Sequence, residues 1–277
     1  MKIVPCDTYS LNYGNFDRRF SPKFGSVERS FAQKGSDGKY SIVLNNSWAL
    51  RGELDWKYNA KLFAEHFSDK KHVNVYSLAA SDGSEAYMLA ISLIEALGEK
   101  EASKFFPIKA IDSDKYILSI AKNGKWNLLD CEIDNLKRMY GNIDKYIKKS
   151  DSKMLIKNDK LSSLTSTYEV SELLKNAVVF EHGDLLDEIK NIDDEDGSAL
   201  VFCRNVIPYL ESRKISTAQN VASLLGLFLA EGSMFVTGGY DLELTDLNRN
   251  LYLREFKHVN RDKSIFLYIK TDPWADC

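Results

Sequence analysis

A chain of 277 residues, 44% hydrophobic and 28% charged, has ordinary globular composition, with room for one large α/β domain or two small ones. Its formal net charge is -3, from 37 Lys plus Arg against 40 Asp plus Glu, so no global basic field draws nucleic acid. Four scattered cysteines (Cys6, Cys131, Cys203, Cys277) and four scattered histidines (His66, His72, His182, His258) form neither a disulfide framework nor a metal-ligand spacing, so the expectation is a reducing cytoplasm and no metal.

The N-terminal run Met1-Lys2-Ile3-Val4-Pro5-Cys6-Asp7 lacks the apolar core of a signal peptide. Residues 1–45 are polar, with Tyr9, Tyr13, Phe16, Phe20, Phe24 and Phe31 as possible anchors onto a larger body. We read residues 1–52 as an N-terminal segment facing substrate and residues 53–277 as the core.

In the core, Glu53 to Phe67 reads as an amphipathic helix and Val73 to Ala80 as a buried strand. The turn Ser81-Asp82-Gly83 leads into a helix, Ser84 to Leu97, stopped by Gly98. Phe106 to Ile111 is a second strand, and Lys115 to Lys122 a helix ended by Asn123-Gly124. This β-α-β-α order is the signature of a doubly wound parallel sheet.

Residues 128–175 break the rhythm, and their Lys, Asp, Asn and Ser content reads as an inserted subdomain or long excursion rather than a unit of the main sheet. Residues 150–165 are expected to be its most mobile part. The core resumes with Ala177 to Phe180, an acidic loop from Asn191 to Gly197, and a strand from Ala199 that ends in Arg204-Asn205. A long helix, Glu211 to Ala230, carries Ile215, Ala218, Val221, Ala222, Leu225 and Phe228 on its apolar face. Its most apolar stretch, Ser223 to Ala230, is too short to span a bilayer. A fifth strand, Ser233 to Thr237, closes at Gly238-Gly239-Tyr240-Asp241. Two final strands, Glu255 to Asn260 and Ser264 to Lys270, lie so close in the chain that they must pair antiparallel.

Ligands of open α/β sheets sit outside the carboxyl ends of the strands. Arg204 and Asn205 stand at such an end, where they either meet a ligand or lock the strand through a neighbouring carboxylate. Asp112, at the end of strand two, can accept the two hydroxyls of a ribose or cap the next helix, a role open to Asp114 as well. Asp184-Leu185 follows strand three, where an adenine could be held.

These stretches together resemble the CheR-type protein-glutamate O-methyltransferases. The resemblance rests on Ala80-Ser81-Asp82-Gly83-Ser84-Glu85-Ala86-Tyr87-Met88, Ala110-Ile111-Asp112-Ser113-Asp114, Asp184-Leu185-Leu186, Phe202 to Leu210 and Gly238-Gly239-Tyr240-Asp241, with Ser47-Trp48-Ala49-Leu50-Arg51 upstream. The chain departs from the family pattern at Ser84-Glu85-Ala86, at Asp184 and at Gly239-Tyr240-Asp241.

The resemblance implies a Rossmann-like class I methyltransferase fold: a mostly parallel seven-stranded sheet with an antiparallel C-terminal hairpin. It implies S-adenosylmethionine as cofactor, with S-adenosylhomocysteine as product. The cofactor-binding residues it implies are Ser47, Ala80, Glu85 (methionine amino group), Asp112 (ribose), Asp184 and Leu185 (adenine end), Arg204 and Asn205. Arg51 and Tyr209 would be catalytic, near the acceptor and the transferred methyl. Arg51 could equally salt-bridge Glu53 or Asp55. The implied activity is chemotaxis-related, cytoplasmic carboxyl methylation of a protein. A methyltransferase on a small molecule or another protein side chain, and a non-catalytic sensor of the cofactor or its product, remain open.

Overall fold

The computed structural model describes residues 29–34, 40–45, 54–151, 165–259 and 266–272. Two short strands come first, β1 (Arg29–Lys34) and β2 (Tyr40–Asn45), paired antiparallel in a segment whose sequence carries little periodicity. The core begins with α1 (Trp56–His66), β3 (Asn74–Leu78), α2 (Ser84–Leu97) and the short α3 (Glu99–Ala102), followed by β4 (Ile108–Asp112) and α4 (Lys115–Lys122). Then come β5 (Lys125–Leu129), α5 (Asp130–Tyr140), β6 (Ile147–Lys149), β7 (Thr165–Val170) and α6 (Glu172–Ala177). The chain continues through β8 (Val178–His182), α7 (Leu185–Lys190), β9 (Ala199–Cys203), α8 (Ile207–Ser212) and α9 (Ala218–Phe228). It closes with β10 (Met234–Val236), α10 (Gly239–Leu244), α11 (Leu247–Tyr252), β11 (Phe256–His258) and β12 (Leu267–Lys270).

The main sheet has seven strands in the order β11-β12-β10-β9-β3-β4-β8. Strands β8, β4, β3, β9 and β10 run parallel, and β12 is antiparallel to both β10 and β11. This is the parallel sheet with an antiparallel C-terminal pair that the sequence predicts. Strand β9 shows why it sits in the middle. All five residues of Ala-Leu-Val-Phe-Cys are buried, with Leu200 and Phe202 packed into the core on one face and Val201 and Cys203 on the other. The first face is covered by α1, α2 and the inserted segment, the second by α7, α9 and α11.

The inserted segment is a small subdomain outside the main sheet. It starts at Lys125 and forms its own antiparallel sheet, in the order β5-β7-β6. Its polar composition hides buried anchors that merge with the core, among them Trp126, Leu128, Tyr140 and Tyr146. Tyr140 Oη lies 2.8 Å from Ser92 Oγ, and the Tyr146 hydroxyl donates to Glu95 at 2.7 Å, so two residues of α2 hold the insert. Residues 152–164, most of the stretch expected to be mobile, lie outside the described residues.

The long helix expected from Glu211 to Ala230 is two helices, because the chain turns at Lys214 (φ 56°) and Thr217 caps α9 by accepting from the Asn220 N–H at 3.2 Å. Ile215, expected on its apolar face, is 55% exposed in that break. Pro208 opens α8 at its first turn, where a missing N–H is harmless. Gly238 to Asp241 follows β10 at the carboxyl edge, as expected, and also opens α10.

Two buried carboxylates staple the strand ends. At the amino edge, Asp194 of the acidic loop accepts from the N–H groups of Ala199 (3.1 Å) and Ala230 (2.7 Å) and from Ser233 Oγ (2.5 Å). At the carboxyl edge, Asp241 accepts from the N–H groups of Asn205 (2.5 Å), Ile207 (3.0 Å) and Gly238 (3.0 Å) and from Thr237 Oγ1 (3.0 Å). Burial pushes both carboxyl groups above the usual carboxylate range, against the pull of those donors. Asp241→Ala strands several buried donors at once, so denaturant titration should show a loss of about 2–4 kcal/mol. The exposed Asp246→Ala, whose side chain makes no cap bond to α11, should stay within about 0.5 kcal/mol. Equal effects of the two substitutions would refute the staple.

Candidate active site

Because β3, β4, β8 and β9 are parallel, their carboxyl ends meet along one edge, and the residues that follow them form one row. Glu85 begins the first turn of α2. Its Oε1 accepts from Ser77 Oγ at 2.9 Å, and its Oε2 pairs with Arg204 Nη1 at 3.2 Å. Arg204 stands just beyond β9, with its guanidinium 5.5 Å from the ring centre of Trp56 on α1. The Arg204 side chain is 1% exposed and that of Glu85 18%, so a ligand at this edge meets Glu85, with Arg204 behind it. Of the two sequence alternatives for Arg204, the structure shows the one in which it locks the strand end through a neighbouring carboxylate, Glu85.

The loop from β3 to α2 takes unusual backbone angles, with positive φ at Ala79 (56°), Ser81 (56°) and Gly83 (80°). Only Gly fits at 83, since a Cβ there would lie 2.6 Å from the Phe180 ring. Ala80 is pinned by its N–H to Ile111 O at 2.8 Å and by its carbonyl, which accepts from Gly83 N–H at 3.0 Å. Asp112 ends β4 and accepts from the N–H groups of Ser81 (2.8 Å) and Asp114 (2.9 Å). Burial raises its pKa above the usual range, while the backbone donors pull it down. The helix-capping role belongs to Asp114, which accepts from Tyr116 and Ile117 N–H groups at the start of α4. That leaves Asp112 as the carboxylate that ties the loop after β3 to the end of β4.

Asp184 is exposed and caps α7 through Leu186 N–H at 2.9 Å, and Leu185 beside it is buried. Asn205 has positive φ (56°), and its Oδ1 accepts from Tyr240 N–H at 3.0 Å. Its amide lies over Gly238, where a Cβ would come within 2.2 Å of it. Tyr209, expected just past a strand end, stands in α8 and is 51% exposed. Ser47 and Arg51 lie outside the described residues.

Sequence reasoning missed the Asp241 staple and the donors around Glu85. An acidic residue following Gly-Gly after a buried strand was the available signal for Asp241, yet its partners stand some 35 positions away in the chain. Among the described residues there is no group of three or more His, Cys, Asp or Glu that could hold a metal, and no helix long and apolar enough to cross a membrane.

The donor set fits a zwitterionic nucleoside ligand. The partly exposed carboxylate of Glu85 can accept from an ammonium group, and the carboxylate of Asp112 can accept from ribose hydroxyls.

Comparison with known proteins gives this geometry a family. The description "CheR methyltransferase, SAM binding domain" matches residues 56–250, more than half of the chain. A chemotaxis protein methyltransferase of Borreliella burgdorferi is 27% identical over 175 residues, covering 62% of this chain and 53% of that protein. The chain therefore matches about half the length of that relative. A chemotaxis protein methyltransferase of Listeria innocua is 27% identical over 219 residues, 77% of this chain and 74% of that protein. Among solved structures, MNMC2 from Aquifex aeolicus aligns at 12% identity over 88% of this chain and 71% of its own, with a TM-score of 0.43. On the family match, this chain belongs to the CheR methyltransferases, a family of S-adenosylmethionine-dependent methyltransferases, and its cofactor is S-adenosylmethionine.

Proposed function

We propose that this protein methylates a carboxylate side chain of glutamate type on a partner protein, in the cytoplasm. The observation that carries the reading is how the acidic groups of the edge are used. Glu85 is in an ion pair, Asp112 and Asp184 accept from backbone, and Asp241 staples two loops. These groups orient and hold. That suits an acceptor already ionised at neutral pH, which needs placement and exclusion of water rather than deprotonation.

When bound, S-adenosylmethionine supplies an electrophilic sulfonium methyl. In this reading Glu85 takes the ammonium of its amino-acid end, Asp112 the ribose hydroxyls, and Ala80, Asp184, Leu185 and Asn205 frame the nucleoside. Arg204 holds Glu85 in place. Tyr209 orients the methyl end, and Arg51 grips the acceptor carboxylate through its forked donors. Ser47 shares in binding the cofactor. Residues 1–52 and the insert flank the methyl end and select the acceptor.

Binding comes first. S-adenosylhomocysteine should raise the melting temperature and NAD should not, and Asp112→Ala should weaken the complex by ~1–3 kcal/mol. Stabilisation by NAD alone would sink the assignment.

The pH dependence follows from Asp112. Ribose hydroxyls donate to its ionised form, so affinity for S-adenosylhomocysteine should fall as pH drops through its raised pKa, by roughly tenfold per pH unit. The break should lie above the ordinary value of 3.8 and vanish in Asp112→Asn. The ligand-free protein responds with the opposite sign. A raised carboxyl contributes stability below its unfolded pKa, and that contribution is lost as pH rises through the folded value. Calorimetry across pH 4–8 that finds flat affinity in wild type would contradict this role.

Catalysis is tested by methyl transfer to glutamate-rich peptides and acidic proteins, with base-labile incorporation as the mark of an ester. Tyr209→Phe and Arg51→Ala should leave S-adenosylhomocysteine affinity within a few fold and lower transfer by roughly ten- to a thousand-fold. Tight cofactor binding with no transfer to any carboxylate, amine or hydroxyl acceptor, in wild type and variants alike, would instead favour a sensor.

A further inference from the structure

The loop that starts α2 rests on a floor of three aromatic rings contributed by three separate elements. Tyr87, one turn into α2, packs against Trp126 of β5 with ring centres 5.7 Å apart and against Phe180 of β8 at 5.5 Å. Its hydroxyl donates to Ala121 O at 2.9 Å. Gly83 lies directly on the Phe180 ring. One side chain of the floor reaches up to the loop itself: the Trp126 indole N–H donates to Ser84 Oγ at 2.7 Å, with both residues buried. Ser84 stands between Gly83, which bends the chain into α2, and Glu85, which faces the edge. Its own N–H donates to Asp82 Oδ1 at 3.1 Å.

We propose that Trp126 is a positioning residue for the methyl donor, and that the inserted sheet is therefore part of the cofactor site. A buried indole N–H requires an acceptor, and the Ser84 hydroxyl is the acceptor it has. That single bond holds Ser84 in one rotamer and fixes the direction in which the chain leaves Gly83. The first backbone N–H groups of α2 and the Glu85 carboxylate inherit that direction. Strand β5 thus sets the loop from beneath, although its own sheet runs apart from the main one. The inference rests on the reading that the donor binds at the carboxyl edge.

The test compares Trp126→Phe, Ser84→Ala and the double variant, by calorimetric titration with S-adenosylhomocysteine and by thermal unfolding without ligand. Trp126→Phe keeps an aromatic ring in the floor, and Ser84→Ala removes one oxygen, so at least one of the two should fold. Each single variant should bind S-adenosylhomocysteine about tenfold more weakly, and the double variant no more weakly than the worse single. Unfolding should separate from affinity: the double variant leaves no orphaned buried partner and should regain part of the lost melting temperature, while its affinity stays low. Affinity that recovers together with melting temperature would show a purely structural bond and overturn the proposal. So would single variants that bind like wild type while Asp112→Ala binds weakly. If Asp112→Ala also binds like wild type, the location of the donor site fails instead.

Discussion

One buried carboxylate with four donors organises the functional edge. Asp241 has no solvent exposure, yet it gathers three backbone N–H groups and a hydroxyl from the ends of β9 and β10. Desolvating an acid is costly, and only a full set of donors offsets it. What the staple secures is a backbone that would not hold its shape alone. Asn205 sits in the left-handed region, uncommon for non-glycine residues and tolerated best by Asn and Asp, between two of the bonds to Asp241. Arg204 precedes it and pairs with Glu85, so the staple fixes the guanidinium that fixes the carboxylate. From Asp241 to Glu85 the path crosses from β10 to β9 to α2, three neighbouring parts of one edge.

The carboxylates of this edge divide by exposure. Asp241 is sealed and structural, Asp112 and Glu85 are partly open, and Asp184 is exposed as a helix cap. Function on such a sheet depends on keeping the middle group poised: buried enough to bind a ligand without competition from water, held well enough to keep their direction. The pair Ser77 and Arg204 does this for Glu85, and the backbone N–H groups of Ser81 and Asp114 do it for Asp112. The price of that arrangement is a raised Asp112 pKa.

Much of the sheet was legible in the sequence because its signals are local. The helix Ser84–Leu97 has its stated bounds, since Gly83 and Gly98 punctuate it, and Lys115–Lys122 likewise begins at the Asp114 cap. Strand β9 is a run of five apolar residues, a pattern that admits few other readings. What failed was non-local or lay within polar sequence. The break at residues 213–217 was hidden because Ile215 extends the apolar period of α9 while pointing to solvent. The strands of the inserted sheet were hard to read because Lys, Thr, Ser and Glu run through them, among which Trp126, Leu128, Ile147 and Val170 pack inward. In the site, the residues at strand ends were legible from their positions. Their partners were not: Glu85 meets Arg204 across 119 positions and Trp126 meets Ser84 across 42. Helix and strand periods carry no record of such pairings.

We propose that one cofactor spans the carboxyl ends of β3, β4, β8 and β9. Hydrogen exchange of backbone amides with and without S-adenosylhomocysteine tests it most directly, because it reports where the ligand protects the chain. Slowed exchange is expected in residues 79–87, 112–114, 183–186 and 203–206, with little change at the opposite edge around Asp194 and Ser233. Protection centred on that opposite edge, or none along the four strand ends in a protein that demonstrably binds the ligand, would contradict it.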